Sequence, residues 1–259
     1  MPYSLKSLYS GSTGNAAVLC AGDTAILIDA GRSARALCCA LRNAGIEPDA
    51  IKAIFLTHEH SDHTAALEVF LKHHPVPVHT TTASAERLCA RGGENLRAAL
   101  VVHPPLYTET VGGITLSTFQ TSHDSADCVG FRICVEDGDC CHTIGYATDL
   151  GIITPCVEKG LVGCEAVVLE CNHDEEMLMT GPYPYDLKRR IASRRGHLSN
   201  PDCAIFSTRL AANGLKRLLL AHLSETNNLP DLAFGEVSAA LAGTGVHIAV
   251  ASPTDIVEL

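Results

Sequence analysis

A chain of 259 residues, 46% hydrophobic and 19% charged, carries enough apolar material for a large core and excludes intrinsic disorder. No run approaches 18 uninterrupted apolar residues, which argues against a transmembrane helix, and Met1 to Ser10 lacks a charged-then-apolar leader, so a cytosolic protein is expected. The net charge of −10 argues against gripping nucleic acid by phosphate neutralisation alone, although bound metal would add positive charge that this count omits.

The elements alternate between short β-branched runs and helical runs. Leu5 to Tyr9, Ala16 to Leu19 and Ala25 to Ile28 read as successive strands of a meander, with turns at Gly11–Asn15 and Gly22-Asp23. Ser33 is placed to cap a helix running to Ala44, with Gly45 as its stop. Ile51 to Leu56 reads as a strand, and Asp62 opens a helix with Leu67, Phe70 and Leu71 at helical spacing. Val76 to His79 and Leu100 to His103 read as strands flanking a helix over Ala83 to Arg91. Ile114 to Phe119, Gly130 to Val135 and His142 to Ala147 form a second strand series. In the last third, strands at Ala166–Leu169, Leu218–Ala221 and Val246–Val250 alternate with a helix that Asn200 caps and Pro201 starts and with another from near Leu232. Together these predict two sheets with helices outside them, in one domain spanning 1–259.

Twelve cysteines contain no C-x-x-C, and the adjacent pairs Cys38–Cys39 and Cys140–Cys141 suit neither a zinc knuckle nor a relaxed disulfide. Most of the others sit in apolar runs, so small buried hydrophobes in a reducing compartment are expected.

The chemistry concentrates in Thr57-His58-Glu59-His60-Ser61-Asp62-His63, between a strand and a helix. In extended backbone His58 and His60 project to one side, and the turn into the helix swings Asp62 and His63 toward a second position. Imidazole and carboxylate together suit zinc, iron or manganese. Further ligand types sit just beyond apolar runs: His123 after Leu116–Phe119, Asp149 after Ile144–Ala147, and His222 after Leu218–Ala221.

These residues resemble the metallo-β-lactamase superfamily over nearly the whole chain. The resemblance implies an α/β (α+β) fold, a four-layer αββα sandwich of two mixed sheets flanked by helices. It implies that His58, His60 and His123 hold one metal, that Asp62, His63 and His222 hold a second, and that Asp149 bridges them. Asp29, after Ile26–Ile28, would stand behind the ligands and orient one of them. Ser10–Asn15, Asn172–Glu176, Gly196–Asn200 and His222–Asn228 are similar to a narrower group, the YycJ/WalJ-like hydrolases, which is associated with exonuclease activity on DNA.

The expected cofactor is therefore a pair of divalent ions, zinc first, with manganese or iron as alternatives. Two such ions ~3.5–4 Å apart would share a hydroxide whose formation they favour, and that hydroxide would attack the substrate. Asp62 and Asp149 are the expected catalytic carboxylates. His197, in a loop between Gly196 and Ser199, is the candidate general acid or phosphate contact; a plain loop histidine before a helix cap is the alternative. His173 reads as a cap or supporting residue. Five of the 19 Lys and Arg residues fall within Lys188–Arg195, so Arg189 and Arg190 are candidate phosphate contacts, with Ser224 a further substrate contact. A solvated basic helix is the competing reading.

The expected function is a phosphodiesterase or exonuclease acting on DNA. The alternative is a hydrolase of a small phosphodiester, ester or lactone, which the acidic net charge favours. A redox role is disfavoured, because the flavin-linked diiron proteins of this fold place Glu where this chain has His60. No membrane partner is expected.

Overall fold

The computed structural model describes residues 3–138 and 140–259; Met1, Pro2 and Asp139, which the expected domain includes, lie outside them. The first sheet is built from β1 (Tyr3–Tyr9), β2 (Ala16–Ala21), β3 (Thr24–Ile28), β4 (Ile51–Phe55), β5 (Val78–Thr81) and β6 (Leu100–His103). The second holds β7 (Thr108–Val111), β8 (Ile114–Gln120), β9 (Val129–Asp137), β10 (Cys140–Ala147), β11 (Ala166–Glu170), β12 (Arg217–Ala221) and β13 (His247–Val250). β14 (Val257–Glu258) returns to pair with β1. Among the described residues this gives two seven-stranded sheets, ordered β14-β1-β2-β3-β4-β5-β6 and β13-β12-β11-β10-β9-β8-β7.

Both sheets begin antiparallel and turn parallel. The switch falls at β3–β4 in the first and at β10–β11 in the second. Parallel pairing demands crossovers, and the helices supply them. They are α1 (Ala34–Asn43), α2 (Ser61–Thr64), α3 (Leu67–His73), α4 (Thr82–Arg91), α5 (Glu94–Ala99), α6 (Pro155–Leu161), α7 (Glu175–Thr180), α8 (Tyr185–Ile191), α9 (Asn200–Ala212) and α10 (Pro230–Ala240).

Strand alternation sorts the apolar side chains into layers. Ile26 and Ile28 of β3 face Val168 of β11 and Leu219 of β12 across the sandwich. Leu27 between them packs outward on Leu37 and Leu41 of α1 and Phe70 of α3. Val167, Leu218 and Leu220 face the other way, onto Leu161 of α6, Phe206 of α9 and Val237 of α10. The order is therefore helix, sheet, sheet, helix, as the sequence predicted.

Helix α1 is capped by Ser33, whose side chain accepts from the Ala36 N–H, and the chain leaves it through Gly45 at φ +81°. Several expectations need correction. The cap of α9 is Ser199, which accepts from the Asp202 N–H, and Asn200 is the first helical residue. The helix expected to open at Asp62 starts at Ser61 and is split into α2 and α3. β7, β14, α5, α6 and α7 had no expectation, because each is short and none has a clean apolar period.

The cysteine expectation also fails in part. Cys134 and Cys141 are joined by a disulfide across β9 and β10, seven residues apart. The strand hairpin brings them together where sequence spacing alone gave no sign. Among the free cysteines only Cys128, Cys164, Cys171 and Cys203 are buried.

Candidate metal centre

The centre is assembled where strands end and the chain must turn sharply. Among the described residues, four that are not glycine have positive φ: Asp29, Arg32, Asp149 and His222, at 56–61°. Asp29 and His222 stand immediately after β3 and β12, and Asp149 stands two residues beyond the end of β10. Such backbone costs on the order of 1–3 kcal/mol per residue. Each fully buried Leu or Ile of the flanking strands contributes roughly 1.5–3 kcal/mol, so the packed strands outweigh the strain and hold the side chains aimed between the sheets.

The first half delivers its residues through one loop. After β4 the Thr57 N–H donates to Asp29 Oδ1 at 2.9 Å, and His63 Nδ1 lies 2.8 Å from Asp29 Oδ2. The Asn15 N–H donates to the Asp62 carbonyl and the Ala30 N–H to that of His63, which fastens the loop to the turn before β2 and to the turn after β3. Gly31 is required here, since a Cβ on it would lie 1.9 Å from the Asp62 carbonyl oxygen.

One nitrogen from each of His58, His60 and His123 lies within 4.8 Å of the other two. The same holds for Asp62, His63 and His222, and again for His58, His63 and Asp149. Asp149 stands between the groups. Its Oδ2 is 3.2 Å from His63 Nε2, and its Oδ1 is 3.5 Å from His222 Nε2 and 3.8 Å from His123 Nε2. His58 Nε2, His222 Nε2 and Asp149 Oδ2 are buried with no hydrogen-bond partner. Three orphaned polar atoms converging in one place are costly unless something binds them. The donor set of imidazole and carboxylate fits divalent metal.

The far nitrogens of these rings are occupied. His63 Nδ1 is on Asp29, His58 Nδ1 is 3.1 Å from Thr57 Oγ1, and His123 Nδ1 is 3.1 Å from the Gly196 carbonyl. His222 Nδ1 lies 3.1 Å from Glu170 Oε1. Partners of this kind fix each ring and its tautomer, leaving Nε2 for a metal.

Electrostatics follow the same division. Burial drives His58 well below its ordinary pKa, with the charge of His63 adding to it, so its ring is neutral. Burial also opposes charge on His222, yet Asp149, Asp62 and Glu170 together raise it to about 10. Burial would raise Asp149, but His222 and His63 hold it well below the ordinary carboxylate range. The carboxylates thus demand positive charge, which a divalent ion would supply.

Residues 24–223 match the β-lactamase superfamily domain family. The chain is 32% identical over 244 residues to exodeoxyribonuclease YycJ of Bacillus anthracis, covering 93% of this chain and 90% of that protein. It is 30% identical over 249 residues to exodeoxyribonuclease WalJ of Streptococcus pneumoniae, covering 94% and 91%. The metallo-β-lactamase fold protein YhfI from Bacillus subtilis superposes over 100% of both chains with a TM-score of 0.75 at 18% identity. The chain belongs to the metallo-β-lactamase superfamily, in its YycJ/WalJ-like group. It is a metal-dependent hydrolase.

Within this YycJ/WalJ-like protein the sequence reading missed one central residue. Glu170, fully buried at the end of β11, places Oε1 2.7 Å from His197 Nδ1 as well as on His222, and Oε2 accepts from the Leu150 N–H. Burial would raise its pKa, but His197 and His222 hold it at about 2. The signal was present: Glu170 follows the apolar run Ala166–Leu169 as Asp149 and His222 follow theirs. Asn15 and Asn172 were also missed as individuals. Asn15 Nδ2 is 3.2 Å from His63 Nε2, and Asn172 Nδ2 donates to the His222 carbonyl.

A cavity of about 170 Å³ opens beside the centre, lined by His123, Asp124, Arg190, His197 and Ser224 among others. Ser224 is buried and its Oγ accepts from the Asn227 N–H, so its hydroxyl is engaged in the local turn. The basic cluster is divided. Lys188, Arg189 and Arg190 lie on α8, whereas Arg194 and Arg195 lie in the turn after it. Arg190 reaches Asp124 at the cavity wall, whereas Arg189 lies over the exposed Tyr185 ring and does not line the cavity. Among the described residues no helix is long and apolar enough to cross a membrane.

Proposed function

We propose that this protein is a dinuclear phosphodiesterase that removes nucleotides from DNA ends. The observation that carries the dinuclear part is the convergence of orphaned His58 Nε2, His222 Nε2 and Asp149 Oδ2 at the junction of two ligand groups. In this reading His58, His60 and His123 hold one ion, Asp62, His63 and His222 the other, and Asp149 both. Zinc suits the donors best, with manganese or iron as alternatives. When bound, the ions supply Lewis acidity toward a phosphoryl oxygen and toward water.

The chain's own groups do the remaining work. Asp29 holds the His63 ring so that Nε2 faces the centre, and Glu170 does the same for His222. Glu170 also accepts from His197 Nδ1, which leaves His197 Nε2 to deliver a proton to the leaving oxygen. Gly196 keeps that loop tight, since a Cβ there would lie 2.0 Å from the Ile191 carbonyl. Arg190 and Asp124 form the cavity wall that the phosphate backbone would meet.

DNA as substrate rests on the relatives, both named exodeoxyribonucleases. The net charge of −10 and the pairing of Arg190 with Asp124 favour the second reading, hydrolysis of a small phosphodiester. Elemental analysis of the purified protein, followed by assays on 5′- and 3′-labelled DNA and RNA, separates the two. At least two equivalents of metal and stepwise release of nucleotides from one DNA end are expected. Hydrolysis of small phosphodiesters with intact DNA would overturn the DNA assignment, and one equivalent at full activity would overturn the dinuclear one.

A further inference from the structure

The open edge of the sandwich carries a second group of ligand-type side chains. β6 and β7 are the edge strands of their sheets, and no strand pairing joins them among the described residues. His79 of β5 lies opposite Val101 and Thr81 opposite His103, so the two histidines share one face along a diagonal. That face is the interior, because His79 stacks on Phe55 of the inter-sheet core at 4.5 Å. On β7, Glu109 has the same parity as Val111, which packs against that core. The three residues therefore reach toward one point from both sheets.

Their atoms are close. One nitrogen from each histidine and one oxygen of Glu109 lie within 4.8 Å of one another. His79 Nδ1 and His103 Nε2 are 3.0 Å apart. The rings are held in place by a near-parallel column of Phe55, His79, His103 and Tyr107, with successive interplanar angles of 12°, 13° and 10°. Burial lowers the pKa of both histidines, which keeps them in the neutral form that binds metal. Glu109 is half-buried, and its carboxylate has no hydrogen-bond or ion-pair partner among the described residues. A carboxylate with open acceptors beside two neutral imidazoles supplies three protein donors of a type that suits a divalent transition metal.

We propose that His79, His103 and Glu109 form a separate site for a divalent transition metal, one that clips the unpaired edges of the two sheets together. None of the three makes a hydrogen bond, ion pair or ring contact with the residues of the first centre. Its role is therefore structural. Zinc is the natural probe, since imidazole and carboxylate suit it and it asks no particular geometry of them.

The test uses the full chain. Wild type, His103→Gln and Glu109→Gln are dialysed to equilibrium at a free zinc concentration that just saturates the wild type, and their zinc is counted. Each variant is expected to hold one equivalent fewer than wild type, whatever number the first centre retains, and to keep wild-type turnover. Because Glu109 sits on an edge strand and is only half-buried, Glu109→Gln leaves the core packing alone even if His103→Gln disturbs it. Zinc is also expected to raise the melting midpoint of wild type further than that of Glu109→Gln. Unchanged zinc content in Glu109→Gln overturns the site and leaves an imidazole–imidazole hydrogen bond at the edge. A loss of turnover in step with the lost zinc overturns its separation from the first centre.

Discussion

The two sheets repeat one plan, antiparallel strands giving way to parallel ones, yet they feed the centre in opposite ways. The first half contributes four candidate ligands from the single segment His58–His63, steadied by Asp29. The second contributes His123, Asp149, Glu170 and His222 one at a time, from beyond β8 and β10 and from the ends of β11 and β12. In the first half local backbone sets the geometry. In the second it is set by register: Ala147 lies beside Leu169 and Leu169 beside Leu220, so the three chain ends come level. A slip of one residue would turn each side chain to the other face. The scattered half thus depends on the whole sheet, and the contiguous half on one turn.

The sharpest way to break this comparison is at Asp149, where the halves meet. Asp149→Asn is expected to lower turnover by on the order of 10³-fold or more and to lower metal content. At φ +56° asparagine is as well tolerated as aspartate, so the change removes charge without straining the backbone. Metal analysis beside turnover checks it. Full activity in the variant would remove Asp149 from the centre.

A smaller effect is expected from the carboxylates behind the ligands, one from each half. Glu170→Gln loosens two rings, His197 and His222, whereas Asp29→Asn loosens one, His63. Losses of roughly 10–100-fold in metal affinity or activity are the ordinary scale for such groups, with Glu170→Gln at the upper end. Titration of metal into each apo variant, beside kcat, checks the order. If Asp29→Asn costs more than Glu170→Gln, the contiguous loop is the more fragile half and the comparison reverses.

The difference between the halves also explains what was legible in the sequence. His58, His60, Asp62 and His63 could be read directly, because strand and turn geometry act over a few residues. Asp149, His123 and His222 could be read only as polar residues beyond apolar runs. Glu170 carries that same signal and was passed over, because it resembles an ordinary strand-end carboxylate until β11 is placed between β10 and β12. Two sheets with helices outside them were legible from the order of strand-like and helical runs, and the four-layer sandwich from the family resemblance. The pairing of Cys134 with Cys141 and the approach of His79, His103 and Glu109 were not, since both arise from strand neighbours that only the folded sheets define.

The smallest effect is expected at the rim, where the sequence offered Arg189 and Arg190 as equals and the structure separates them. Arg190 lines the cavity and neutralises Asp124, whose Oδ1 lies 3.3 Å from His123 Nε2. Arg190→Ala is expected to weaken cleavage of DNA several-fold, on the order of 1 kcal/mol, and to flatten its dependence on salt by about one charge. Cleavage of a small chromogenic phosphodiester should hold. Arg189→Ala should change neither, because that side chain is exposed over Tyr185. Part of the Arg190→Ala loss would come from the carboxylate of Asp124 left unpaired in the path of a phosphate. Adding Asp124→Asn to Arg190→Ala should therefore restore part of the DNA rate while leaving the flattened salt dependence in place. Equal losses on DNA and on the small substrate would mean that Arg190 serves the centre itself, and the rim would then have no separate part in gripping a polymer.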